Sequence, residues 1–543
     1  MNSMEEMRTA VLIVGYGPVG AALACLLGRY NVPTIIIDKA ETPFVQPRAI
    51  ALDNEALRIL QMAGLGDDAF PRMAIPYVKM HSPFLGEFGH VNTAGSIDGH
   101  PKLVTFAQPE LEAALRRQVE TLPCIKVLLG HEAVTIEDAG EAVNAILRDR
   151  GGNQTRIHSA YLIGADGAAS FVRGVIGQEF VGRTYAEDWL IIDALNVPKP
   201  IDHIEFICDP KRPTPHMPAP GGRERWEFML ARGETRETME NDANVARLLR
   251  PWLTVDQLKI ERRAVYRFHA RCCDSFGKGR ICLAGDAAHI TPPFVGQGLV
   301  AGLRDAANLA WKLAAILQDR AAPGILASYD AERRPHAKAM IALAKLMGNL
   351  VMPRNAARAI AVHGAIRMIR VIPRLRRFFD DLGVKPQNRY RTGLFTPGRA
   401  ARGLVRGGQV PQAWVRAADG TIIRSDGALG SSFALVGFGV DPARTLPAEL
   451  LRHWIESGYG IVQFCHAGQR PRTTIPVFDD LEGVLVPKAA PVGWVAVIRP
   501  DRVVMTDGPV SDAQELVAET LRLLAGAPGT DMIKPRPRIG AAA

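Results

Sequence analysis

Short all-apolar runs alternate with amphipathic stretches along most of this 543-residue chain, the pattern of buried strands followed by helices. Thr9 to Arg29 reads as strand, glycine turn and helix, with the next strand at Thr34 to Ile37. A helix from Asn54 to Met62 is closed by Gly64, and Phe106-Ala107-Gln108-Pro109 opens another. Val143 to Ile157 alternates around Gly151-Gly152 as a hairpin does, and a strand at Tyr161 to Ile163 follows. From about Tyr185 to Ala270 the pattern changes. Strand-like runs at Trp189 to Asp193, Ile204 to Cys208, Trp226 to Leu230 and Arg263 to Phe268 alternate with proline-rich loops such as Pro210 to Pro220. Ile281 to Ala284 is a further buried strand, and Pro292-Pro293 excludes a helix just beyond it. An amphipathic helix then carries Val300, Leu303, Ala307, Leu309, Trp311, Leu313 and Leu317. Tyr329 to Pro335 is expected to be helical, with Asp330/Arg334 and Glu332/His336 as supporting pairs four residues apart. Beyond Gly403 the expected order is strand Phe433 to Val436, helix Glu449 to Ser457, strand Gly460 to Phe464, strand Trp494 to Ile498 and helix Asp512 to Leu524.

This length exceeds one ordinary hydrophobic core, so two or three domains are expected. No apolar run reaches the length of a membrane span, and the acidic start MNSMEEMRTA resembles no secretory signal. Seven cysteines form no C-x-x-C pair and no metal-ligand spacing, so the thiols read as reduced and cytoplasmic, with no metal. The net charge of +9 lacks the aromatic-basic interleaving of a nucleic-acid binder. Attraction of anionic cofactors and substrates is the better reading. Arg354 to Arg377 carries seven arginines around Pro373; a surface helix between domains is the expectation, ahead of a membrane-surface helix. The basic Lys534 to Arg538 segment reads as a frayed tail.

Three glycine-bearing motifs carry the chemistry. Gly15-Tyr16-Gly17-Pro18-Val19-Gly20 is G-x-G-x-x-G between a strand and a helix, with Asp38 at the end of the next strand. Gly15, Gly17 and Gly20 permit a tight turn and close approach of a pyrophosphate, and Asp38 suits a ribose hydroxyl. Gly164-Ala165-Asp166-Gly167 follows another strand, with Ser170 and Arg173 behind it. Gly285-Asp286 ends the third strand, and Gly296-Gln297-Gly298 opens the long helix. A helix start behind a glycine turn presents free N–H groups and partial positive charge, which suits the flavin edge that becomes anionic on reduction.

In this order, G-x-G-x-x-G, then G-A-D-G with S-x-x-R, then G-D-A-A-H, two prolines and G-Q-G resemble the single-component FAD-dependent aromatic hydroxylases with the fold of para-hydroxybenzoate hydroxylase. Arg225-Trp226-Glu227-Phe228 and Ala264-Val265-Tyr266 are most like the 3-(3-hydroxyphenyl)propionate hydroxylase branch. The resemblance implies an α/β fold: an FAD-binding Rossmann-like domain, an inserted β-sheet substrate domain, and a C-terminal thioredoxin-like domain without its redox thiols. The expected boundaries are 1–184 and 273–345 for the FAD domain, with 75–106 reaching the substrate pocket. The substrate sheet takes 185–272, a helical connector 346–402 and the C-terminal domain 403–543. It further implies FAD contacts at Asp286, Pro293, Gly296, Gln297 and Gly298, at Arg48 and Gln108, and at Asp166 and Gly167. One dinucleotide fingerprint implies that NADH or NADPH binds only transiently. The implied reaction places an oxygen atom from O2 on a phenol ring. His216, Arg225 and Tyr266 are the candidate catalytic groups; where phenol hydroxylase has an aspartate, this chain has Ile50. A polyketide or aromatic-antibiotic hydroxylase is the second enzyme reading, and a silent FAD-binding scaffold or redox sensor the non-enzyme one. A homodimer is among the assemblies left open.

Overall fold

The computed structural model describes residues 5–43, 49–252, 259–380, 386, 388–396, 401, 403–469 and 471–526. Arg48 and the Lys534 to Arg538 segment lie outside them. The chain divides into two compact units, Met1–Ala306 with Ala337–Pro386, and Ala307–His336 with Gln387–Ala543.

The first unit holds two large sheets. One runs Ile125–Leu129, Thr34–Asp38, Glu5–Val14, Gln154–Gly164, Val143–Arg148, Glu132–Asp138, with Ile281–Leu283 also on Gln154–Gly164. Its central strands are parallel and pair in a register that sets Val14 beside Ile37 and Gly164, and Gly164 beside Leu283. Their ends are buried on both faces: Val11 to Val14, Thr34 to Ile37, Tyr161 to Gly164 and Ile281 to Leu283. Tyr161 to Ile163, read above as a strand of its own, is the end of the eleven-residue strand Gln154–Gly164, whose first half forms the expected hairpin with Val143–Arg148.

The second sheet has the order His289–Ile290, Lys259–Cys273, Phe180–Leu195, Arg223–Met229, Thr214–Ala219, Ile204–Ile207, Tyr77–Ser82, Gly86–Asn92. Thr214–Ala219 corrects the expected Pro210 to Pro220 loop. Pro215 and Pro218 forfeit two ladder donors, yet the strand has neighbours on both sides and all six of its residues are buried. Burial overrides the local signal. Likewise Pro292-Pro293 stops an α-helix but admits one 3-10 turn at Pro293–Val295, where proline leads and its missing N–H is not needed.

In the second unit a seven-stranded sheet places Gly460–His466 between the parallel neighbours Ala434–Phe438 and Val477–Asp480, and continues antiparallel into Trp494–Ile498 and Val504–Pro509. Helices Ala448–Glu456 and Ala513–Leu524 accompany it, a thioredoxin-like arrangement. Asp330 and Arg334 pair as expected at 2.9 Å. Glu332 does not follow its expected pairing with His336. Its carboxylate takes Arg499 at 2.8 Å, Lys312 at 2.9 Å and Asn308 at 2.6 Å, all buried, while Arg499 also binds Asp501. Burial lowers the Lys312 ammonium to about 8 although Glu332 opposes the shift. Burial alone would raise Glu332, but Arg499 and Lys312 outweigh it and hold the carboxyl below its ordinary 4.5.

Removing Glu332 takes from buried Lys312 its carboxylate and leaves Arg499 with Asp501 alone. Glu332→Ala is therefore expected to cost about 3–5 kcal/mol in chemical denaturation. Because the folded carboxyl lies below the unfolded one, its contribution is present above pH 4.5 and is lost as pH falls through the folded value. A denaturation midpoint unchanged from wild type at pH 7 is the contrary result.

Candidate active site

The level strand ends decide where the motifs meet. Gly15 follows Val14, Asp38 follows Ile37, Ala165 follows Gly164, and Ala284-Gly285 follows Leu283. Gly15, at φ +107, comes so close to the second motif that a Cβ there would lie 2.4 Å from the Ala165 carbonyl oxygen. A Cβ on Gly20 would lie 2.0 Å from the Gly15 oxygen. These two glycines are packing requirements. Gly17 is different: a Cβ there meets nothing within 4 Å, and the helix Pro18–Arg29 that it caps has no side-chain cap. Its first N–H groups are open to whatever fills that space.

The space belongs to a cavity of about 1470 Å³, larger than the ~300–1,000 Å³ usual for a single small ligand. Gly15, Gly17, Asp38, Gln108, Asp166, Gly167, Asp286, Pro293, Gly296, Gln297, Gly298 and Tyr266 all line it. His216, Arg225 and Gly20 are not among its lining residues.

Several of these side chains are already engaged. The Asp38 carboxylate accepts from the Tyr16 and Ala40 N–H groups, each at 2.8 Å. Gln108 accepts from Ala49 N–H at 2.9 Å and donates to Glu112 at 2.7 Å, so its amide holds the chain at Ala49. Asp166 accepts from the Ser170 hydroxyl at 2.6 Å and from Val172 N–H, organising the Phe171–Val175 helix. Arg173 donates to the Ala168 and Ala287 carbonyls and so ties the second motif to the third. Gln297 donates to Asp53 at 3.1 Å and accepts from Arg304 at 3.0 Å. Arg304 also binds Asp53 and Glu55. This network fixes the Gly296 to Gly298 turn from behind.

Asp305, on the long helix Gly298–Leu317, is the site residue with least signal in the sequence. It is fully buried and accepts from His289 Nε2 at 2.7 Å and from Gly285 N–H at 3.0 Å, holding both ends of the G-D-A-A-H turn. An acid two turns into an amphipathic helix reads as solvent-facing until the turn opposite it is known. Farther along, Phe294 fastens the Pro293–Val295 turn to the second sheet, with ring centroids 5.8 Å from Phe268, 5.9 Å from Trp189 and 6.0 Å from Tyr185.

Much of the wall that this sheet gives the cavity comes from alternate positions of its strands. Val78, Met80, Ile191, Ile204, Phe206, Pro215, Met217, Glu227, Tyr266 and Phe268 point into it. Leu190, Ile192, Trp226 and Phe228 point the other way, into a core with Val245, Leu248 and Leu249. His216 belongs to this far face. It stacks on Trp226 at 4.7 Å and bridges Glu205 at 3.0 Å and Glu224 at 2.5 Å, so it is a buried structural ion pair rather than a group facing substrate. Arg225 lies on the cavity-side face but is spent on Asp193 at 2.6 Å. Arg262 joins Asp193 at 3.1 Å and donates to the Tyr266 hydroxyl at 2.7 Å. Of the three catalytic candidates, Tyr266 alone reaches the cavity wall. Glu227 and Ile50 also line it.

The donor set and the open space at Gly17 fit the ADP part of FAD. Gly15 and Gly17 would take the pyrophosphate, Asp38 the ribose, and Pro293 to Gly298 the flavin ring. Comparison with known proteins agrees. Residues 8–344 match the family described as FAD binding domain, and residues 407–523 match the HcaD C-terminal domain. The chain is 32% identical over 503 residues to a 3-(3-hydroxy-phenyl)propionate/3-hydroxycinnamic acid hydroxylase of Klebsiella pneumoniae, covering 91% of each chain. It is 33% identical over 540 residues to a second such hydroxylase, of Burkholderia vietnamiensis, covering 97% of this chain and 98% of the relative. Among solved structures, the flavin-dependent monooxygenase PieE in complex with FAD and substrate superposes with a TM-score of 0.78 at 22% identity, over 95% of this chain and 99% of that one.

The glycines separate fold from binding. Gly20→Ala should lower the thermal midpoint and yield protein without flavin absorbance. Gly17→Ala should keep the wild-type midpoint as apoprotein yet weaken FAD binding about tenfold or more, ~1.4 kcal/mol, by titration. Equal effects of both substitutions on apoprotein stability would contradict this division.

Proposed function

We propose that this chain, which belongs to the FAD-binding family of flavoprotein aromatic hydroxylases, uses NADH or NADPH and O2 to hydroxylate a meta-substituted phenol, 3-(3-hydroxyphenyl)propionate or a close analogue. The observation that carries the reading is similarity at about one residue in three across nine-tenths of both chains, beside a family match over residues 8–344, which hold the motifs that line the cavity. FAD, when bound, supplies the reduction of O2 and the transfer of one oxygen atom. The rest falls to this chain's own residues.

Beyond the Pro293 to Gly298 turn the cavity wall is largely apolar: Ile191, Ile204, Phe206, Met217, Phe268 and, from the helical segment, Met340, Leu343 and Met347. Such a wall takes up an aromatic ring and excludes the water that would divert the reaction into peroxide. Lys102, Arg116 and Arg370 add positive charge at the cavity boundary, which suits an aromatic acid.

Adding 3-(3-hydroxyphenyl)propionate to the FAD-loaded protein is expected to accelerate oxidation of NADH or NADPH and to give a product heavier by one oxygen atom, read by mass spectrometry. Peroxide without oxygenated product, from a broad panel of phenols, would overturn the reading.

A further inference from the structure

Glu227 is the one buried carboxylate on the cavity face of the second sheet that no described side chain holds. It is 6% exposed and lines the cavity, and its carboxylate is paired with no described side chain. Its position follows from strand alternation. Trp226 and Phe228, on either side of it, are sunk in the opposite core, which leaves Glu227 facing the cavity across from Ile191 on the neighbouring strand. The contrast with the same face is sharp. Two residues earlier, Arg225 is doubly bonded to Asp193, at 2.6 and 3.0 Å, and Arg262 is bonded to both Asp193 and Tyr266.

A carboxylate set in a cavity wall gives up part of its hydration, which opposite charges or a ligand must offset. Glutamine or leucine would satisfy packing at this position without that cost. The charges that face Glu227 are Arg225, Asp193 and Arg262. Burial raises its carboxyl above the ordinary value, Arg225 opposes the rise, Asp193 adds to it and Arg262 opposes it. The result is a stronger base than an exposed carboxylate, kept ionisable by two guanidiniums.

We propose that Glu227 is the group that receives the hydroxyl proton of the phenolic substrate. This rests on the function proposed above. The phenol O–H bond breaks, its proton passes to a Glu227 carboxylate oxygen, and the electron pair stays on the phenol oxygen. From there it raises electron density at the ring carbons ortho and para to that oxygen, one of which accepts the new oxygen atom. The carboxyl returns its proton to water as product leaves. The charge on Glu227 also sets the direction of binding. An acidic side arm of the substrate is repelled, so the hydroxyl end enters towards the strand Arg223–Met229.

The test uses the full-length, FAD-loaded enzyme with 3-(3-hydroxyphenyl)propionate and a ring-fluorinated analogue whose hydroxyl is more acidic. Product formation by wild type should rise with pH through one ionisation, since the carboxylate form is the active one. Glu227→Gln should lose that rise and lower kcat about 10²-fold or more, with phenol binding changed less than about threefold. Glu227→Asp should restore part of the rate and the pH dependence. The acidic analogue should narrow the gap between Glu227→Gln and wild type, because a hydroxyl that ionises by itself needs no base. A Glu227→Gln enzyme that keeps the wild-type kcat and pH profile overturns the assignment alone. So does an equal loss on both phenols. A wild-type enzyme that loads FAD but oxygenates neither phenol overturns the proposed function and the assignment with it.

Discussion

Four strand ends stand level in the first sheet, at Val14, Ile37, Gly164 and Leu283, and the cofactor half of the cavity follows from that line. Parallel strands in this register deliver their loops on the same edge, where ligands gather in doubly wound folds. The loops then have to fit against each other without side chains in the way. Gly15 and Gly20 meet that condition, and Arg173 and Asp305 clamp the loops from beneath. Gly17 is left as the glycine with free space before it, where a ligand rather than the protein sets the requirement.

The second sheet separates its two tasks by the odd and even positions of its strands. On Arg223–Met229, Trp226 and Phe228 enter the core on one face, and Glu227 between them meets the cavity on the other. Polar groups on the two faces therefore serve different ends. His216, Glu205 and Glu224 neutralise one another on the core side, whereas Tyr266 and Glu227 line the cavity. A chain of ion pairs from Arg225 through Asp193 to Arg262 stands beside them and supplies positive potential without entering the wall.

Much of this was legible from residues close together in the chain. The helix Asn54–Met62 and the strand Trp494–Ile498 have the bounds that local pattern predicts. The fold class and the FAD motifs were legible for the same reason: glycine and proline spacing is local. Partners far apart in sequence were not. His216 was a candidate because a histidine in a pocket-forming sheet has chemistry, but which face it takes depends on register, and a shift of one residue reverses it. Glu227 lies inside the Arg225 to Phe228 stretch, and the same dependence on register decides which face it takes. Gln297 and Gln108, expected at the flavin, do line the cavity, but Asp53 and Ala49, which their amides bind, lie 244 and 59 residues away. The strand Thr214–Ala219 shows how two flanking strands can outweigh proline.

The Glu332 to Arg499 pair has a consequence for how the protein is made. These residues are 167 positions apart, and both are sealed from solvent together with Lys312. At ribosomal rates of about 5–20 residues per second, Glu332 and Lys312 wait roughly ten to thirty seconds before Arg499 is synthesised. During that interval a charged pair and the apolar surface around Trp311 lack the strand that will cover them. The buried cluster can close only after residue 499 of 543 has been made.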